Sequence, residues 1–132
     1  PAAVADRMFA PDRASRGLGM TIVDIGGGSA TLSMTVRDDM LNGFAIFHGG
    51  FITTLADSAF AFACNSRNVV TVAAGLTVDF LAPAHRADVL TAHAVEVSLR
   101  RAPKVHGTAL TTAITDFMVA HYPIDHDHVT VR

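Results

Sequence analysis

Residues 48–66 read HGGFITTLADSAFAFACNS, and the reading of this stretch decides the fold. Its Phe, Leu and Ala residues predict one long apolar helix over Gly49–Asn65, ended where Asn and Ser of NSRN favour a terminus. Two glycines open the helix. Asp57 sits inside its apolar run, where desolvation penalises a charged carboxylate. Such a helix should be covered on most sides, which leaves little room for a solvated face around Asp57.

Most of the chain outside this helix reads as strand. MTIVDI and ATLSMTV flank GGGS, which predicts a hairpin of Met20–Ile25, a glycine turn and Ser29–Val36. A phosphate-binding loop would need a helix directly after the glycines, and a strand follows instead. Before the hairpin, a helix is expected at Ala2–Phe9, broken by Gly17 and Gly19. Asp38, Asp39, Asn42 and Gly43 make RDDMLNGFAIF a loop. Beyond the helix, VVTVAAGLTVDFL (69–81) reads as a strand bent at Gly75 and APAHRAD as a loop. VLTAHAVEVSL (89–99) is a further strand, RRAPK (100–104) a turn and VHGTALTTAIT (105–115) a last strand. The tail from residue 116 starts apolar and ends polar. One helix among many strands predicts an α+β domain with a sheet wrapped around the helix. No repeat or linker divides residues 1–132, so one domain is expected.

The chain has 132 residues, half of them hydrophobic, and a net charge of -2. That balance offers no basic field for nucleic acid. No stretch has the near-continuous apolar length of a membrane span. The apolar excess points to a surface covered by other copies of the chain, because obligate interfaces resemble a divided core. Charges interrupt the first residues where an export signal needs apolar ones. The single Cys64 has no partner for an internal disulfide, which suits a cytoplasmic location.

Several residues are candidates for chemistry. The backbone N–H groups of Gly49 and Gly50 either bind an anion or oxyanion or merely begin a helix at a tight corner. Asp57 is a general base, a nucleophile, or a carboxylate paired with a neighbouring hydroxyl such as Thr53, Thr54 or Ser58. It lies about 12 Å along the helix from Gly49, too far for one small group to touch both. A shared role therefore requires two chains, with their helices antiparallel about a two-fold axis. His48 is a base or, more ordinarily, fixes a loop through a backbone carbonyl. Asn42 donates its amide to a carbonyl or makes an Asx-turn with Gly43. Cys64 has no nearby cation to activate it. The DHDH run at 125–128 has metal-ligand residue types without a partner cluster.

The pieces LNG (41–43), HGG (48–50), LADSAFAFACNS (55–66) and TVDFLAPA (77–84) resemble the PaaI-type acyl-CoA thioesterases of phenylacetate degradation. The similarity runs from about Gly17 to Ser98, whereas 99–132 lacks the family's closing pattern. A hydroxyl usual near Ala73 or Ala74 is also missing, although Thr71 and Thr77 are close by. The resemblance implies a hotdog fold, in which five to six antiparallel strands curve around a long central helix. It implies hydrolysis of (hydroxy)phenylacetyl-CoA or a related aryl-acyl-CoA in a homodimer with shared sites, two dimers forming a tetramer. Asp57 matches the essential carboxylate, Gly49 the residue whose N–H polarises the thioester, and Asn42 and His48 supporting positions. Gly50 and Leu55 are substrate-binding candidates, with Phe47 and Phe60 among the apolar residues suited to the acyl group. No metal ion or organic cofactor is required. The rival readings are a hotdog enoyl-CoA hydratase or dehydratase, a non-catalytic acyl-CoA binding protein, and a chain with a rearranged sheet. Arg67, Arg86, Arg100, Arg101 and Lys104 either hold CoA phosphates or are ordinary surface residues.

Overall fold

The hairpin and the strand that follows the long helix form the floor on which that helix rests. The computed structural model describes residues 1–73 and 75–97, with strand segments at 100–101, 113–114 and 117–118. Strands β1 (Thr21–Gly26), β2 (Ser29–Thr35) and β3 (Val89–Glu96) pair antiparallel in that spatial order, and helix α3 (Gly49–Asn65) packs on them. Helices α1 (Ala2–Phe9) and α2 (Arg13–Gly17) precede the sheet. Short segments β4 (Arg100–Arg101) and β5 (Ala113–Ile114) pair with each other, while β6 (Phe117–Met118) extends the main sheet beside β3.

Alternation sets which side of the sheet becomes core. Ala30, Leu32 and Met34 of β2 stand opposite Ala94, Ala92 and Leu90 of β3, and all six are buried. Above them lie Ile52, Leu55, Ala56, Ala59, Phe62 and Ala63 of α3. The alanines on both surfaces let the helix come close to the sheet. The other side of the sheet is polar, with Thr31 Oγ1 2.6 Å from His93 Nδ1 and Thr21 Oγ1 2.8 Å from Ser33 Oγ.

The β1–β2 turn is locked to the C-terminal end of α3. Gly28 has φ +88°, and a Cβ there would lie 2.6 Å from Glu96 Oε2 and 2.7 Å from Arg67 Nη2, so only glycine fits. Its N–H donates to Ser66 Oγ at 2.7 Å, and that hydroxyl donates to Ala63 O at 2.7 Å. Arg67 Nε donates to Glu96 Oε2 at 3.2 Å beside this junction. The glycines thus serve a turn, as expected.

Helices Ala2–Phe9 and Gly49–Asn65 fall where the sequence put them, and the hairpin strands are displaced by about a residue. Helix α2 was not foreseen. Asp12 caps it by accepting the Ser15 N–H at 2.9 Å, and Ser15 Oγ shares a 3.0 Å hydrogen bond with Ser58 Oγ of α3. Three expectations need correction. Helix α3 is buried on its sheet face and half-covered along most of the rest, yet Asp57, expected to have little access to solvent, is exposed in the single chain. Segment 69–81 forms no strand; apart from a bridge position at Val78 it has no sheet pairing among the described residues. Arg100–Arg101, expected in a turn, form β4. Most of the last predicted strand, the tail and the DHDH run lie outside the described residues.

Candidate active site

The loop before α3 is built around Asn42. Its backbone N–H donates to Ile46 O at 2.8 Å, and Ala45 N–H donates back to Asn42 O at 2.9 Å. Its side-chain Oδ1 accepts from Phe44 N–H at 2.9 Å and from Ile46 N–H at 3.3 Å. Two converging N–H donors identify that atom as the oxygen. The Asx-turn therefore forms and leaves the Nδ2 amide without a partner among the described residues. Both readings of Asn42 are compatible, because each uses a different end of the amide. The loop is anchored below by buried Met40 and Phe47, with His48 N–H donating to Met40 O and Phe47 N–H to Ala84 O.

His48 is the N-cap of α3. Its Nδ1 accepts the Gly50 N–H at 2.9 Å, which puts the proton of the neutral ring on Nε2. The ring thus bonds a backbone N–H rather than the carbonyl expected from the sequence, and the Nδ1 lone pair is not available as a base. The Phe51 ring meets its edge with centroids 6.1 Å apart and helps fix its orientation. Phe51 N–H is taken by His48 O at 2.9 Å. Of the first three N–H groups of the helix, the one at Gly49 alone has no partner among the described residues. The two glycines therefore differ: Gly50 completes the cap and Gly49 keeps an open donor.

An open cavity of about 640 Å³ lies at this helix end, lined by Asn42, Ile46, Phe47, His48, Gly49, Ile52, Phe80, Leu81, Ala82 and Pro83. Its walls are mostly apolar, with the Gly49 N–H, the Asn42 amide and the His48 Nε2–H among the polar groups of its lining residues. Such a site suits a polarised carbonyl attached to an apolar group. Gly50 and Leu55 are not among its lining residues, and Leu55 is buried on the core face of α3. Asp57 is also outside the cavity, two helical turns on. Its carboxylate reaches solvent, yet the apolar helix withdraws part of its hydration, and this desolvation raises its pKa above the ordinary value. Phe60 is half-buried beside the core. Burial pushes the Cys64 thiol up to about 11, which opposes thiolate formation near neutral pH.

Phe80, Ile46 and Pro83 escaped the sequence reading because their segments join the site only through tertiary packing. The only hint lay in TVDFLAPA. Among the phosphate candidates, Arg67 is paired with Glu96, and Arg86 Nε lies 3.0 Å from Asp38 Oδ1. No group of three metal-ligating side chains occurs among the described residues. No helix among them is long and apolar enough to cross a membrane.

A long helix on an antiparallel sheet, with its N-terminus at an apolar cavity, is the architecture of a hotdog fold. The structure superposes on that of the E. coli PaaI protein from the phenylacetic acid degradation operon with a TM-score of 0.82, at 34% identity over 99% of this chain and 88% of that one. Residues 44–102 match the Thioesterase superfamily model. In sequence the chain is 44% identical to acyl-coenzyme A thioesterase PaaI of Escherichia coli over 68% of this chain and 64% of that protein. It is 34% identical to a putative esterase of Archaeoglobus fulgidus over 73% of this chain and 62% of that protein. The chain belongs to the PaaI-type branch of the hotdog-fold thioesterase superfamily. It spans less than two thirds of the length of these two sequence relatives.

Proposed function

We propose that the chain hydrolyses acyl-CoA thioesters, with an aryl-acyl-CoA such as phenylacetyl-CoA as its substrate. The observation that carries this reading is the Gly49 N–H at an apolar cavity, beside the Asn42 amide, neither with a partner among the described residues. A thioester carbonyl accepting both protons would be polarised, and the oxyanion of its tetrahedral intermediate would be held as CoA thiolate leaves. Membership of the thioesterase superfamily supports the same chemistry. Because His48 Nδ1 is occupied by its cap, a hydratase that takes a proton on this atom is disfavoured.

The attacking group is assigned to Asp57 of a second copy. On its own helix Asp57 is about 12 Å from Gly49. An antiparallel α3 of a partner brings the two ends together. Segment 69–81 supports this pairing, since Val69, Val70, Val72, Leu76, Phe80 and Leu81 are all exposed in the single chain. The resulting homodimer would share its sites, and two dimers would form the tetramer expected from the family resemblance. The cytoplasm, where the substrate occurs, is its inferred location.

The primary test measures CoA release from phenylacetyl-CoA by wild type and Asp57→Ala, with assembly checked by sizing. A loss of several orders of magnitude with assembly intact supports the assignment; equal activity rejects it. Asn42→Asp is a second probe. It keeps an acceptor for Phe44 and Ile46 but removes the amide donor, so kcat should fall about 100-fold with the loop retained. If Asp57 attacks the thioester itself, a single turnover in ¹⁸O-water gives acid carrying an enzyme-derived oxygen. If Asp57 activates water, the label enters the acid at once.

A further inference from the structure

The hydrogen bonds at Gly49 explain its open donor, but not why the position has no side chain. The answer is a close approach across the fold. A Cβ at Gly49 would lie 2.9 Å from Phe80 Cζ and 3.1 and 3.3 Å from the two Cε atoms. The tip of the Phe80 ring therefore occupies the place a side chain would take. The rest of the ring is uncovered: Phe80 is 55% exposed and lines the cavity beside Ile46, Ile52 and Leu81. It approaches the helix at Gly49 and presents an open apolar surface at the cavity.

Distances relate this ring to the substrate. The Gly49 nitrogen is about 1.5 Å from its Cα. A carbonyl oxygen accepting its proton stands about 2.9 Å beyond it. The ring tip and the carbonyl oxygen are thus both neighbours of Gly49, and in the proposed complex the ring stands beside the carbonyl carbon and the first acyl carbon. Resting on the thioesterase reading, we propose that Phe80 sets acyl selectivity by closing this space to branching at the first acyl carbon. A CH₂ beside the carbonyl passes the ring, whereas a carbon bearing a methyl substituent collides with it. The accepted class is thioesters with an unbranched first acyl carbon, arylacetyl groups included.

Phenylacetyl-CoA and 2-phenylpropionyl-CoA differ by one methyl at that carbon. Their kcat/KM ratio should be measured for the full chain as wild type, Phe80→Ala, Phe80→Leu and Phe80→Tyr, with assembly checked by sizing. Wild type should favour the unbranched thioester by about tenfold or more, within the range one methyl group commonly commands. Phe80→Ala should bring the ratio to within about threefold, Phe80→Leu should fall between, and Phe80→Tyr should keep the preference. An unchanged ratio in Phe80→Ala overturns the proposal. The contact itself is tested by Gly49→Ala, which should lose turnover through collision with Phe80. The double variant Gly49→Ala/Phe80→Ala should regain at least about tenfold of that loss, and a double variant no better than the single one also overturns it. If none of the proteins hydrolyses either thioester, the thioesterase reading fails. Selectivity is then decided by the dissociation constants of the two non-scissile ketones with CH₂ between sulfur and carbonyl, and an equal ratio in wild type and Phe80→Ala overturns it.

Discussion

Strand β2 and segment 69–81 are both rich in small and β-branched residues, yet they have different fates. In β2, each neighbour supplies a backbone partner and alternate side chains enter the core. In 69–81, no sheet pairing among the described residues takes up the backbone apart from the Val78 bridge position, and large apolar side chains are exposed. The difference is not local propensity. It teaches that β2 is completed by its own chain, while 69–81 leaves the apolar surface that the proposed dimer would cover.

The comparison can be broken by substitution. Leu32→Ala should give the largest effect, about 2–5 kcal/mol of lost stability, because Leu32 is 0% exposed between α3 and the sheet. Denaturant unfolding reads it directly. Val70→Ser/Val72→Ser should leave secondary structure intact but weaken self-association by about tenfold or more, seen in sedimentation and as specific activity that falls on dilution. If this pair unfolds the chain as Leu32→Ala does without changing assembly, the two segments are not different in kind.

A smaller effect concerns pH. Because desolvation raises the pKa of Asp57, and the charged carboxylate is the working form, activity should be retained above that pKa and lost as pH falls through it. The acid limb should therefore be shifted upward from that of an unperturbed aspartate. A limb with no upward shift would separate Asp57 from the attacking step. Least of all should change in Cys64→Ala, whose turnover at neutral pH should stay within about twofold of wild type, since a thiol raised to about 11 is protonated there.

What could be read in the sequence was what depends on nearby residues. The Gly49–Asn65 helix, the glycine turn between β1 and β2 and the alternation of β3 are local patterns, and each is present. Helix α2 was hidden because Gly17 looked like a breaker, whereas it is the last residue of a helix capped by Asp12. Segment 69–81 has the composition of a strand, but apart from the Val78 bridge position it has no sheet partner among the described residues, which composition cannot reveal. At the site, the sequence indicated Asn42, His48 and Gly49 as neighbours of the helix end. Spacing alone did not separate Gly49 from Gly50, which only the family resemblance distinguished, because which N–H stays open depends on the rotamer of His48. The packing of Phe80 on Gly49 joins residues far apart in the chain, which no local pattern records.

The clamp of Gly28, Ser66, Arg67 and Glu96 holds one end of α3. Seventeen residues make this helix a rod of about 25 Å. A rod fixed at one end moves most at the other, and a tilt of about 2° would swing Gly49 by nearly 1 Å, more than a positioned catalytic group tolerates. The glycine turn thus acts as a distant bearing. Loosening it should blur the alignment of the Gly49 N–H, moving Gly49 and Ile52 against the 80–83 wall of the cavity.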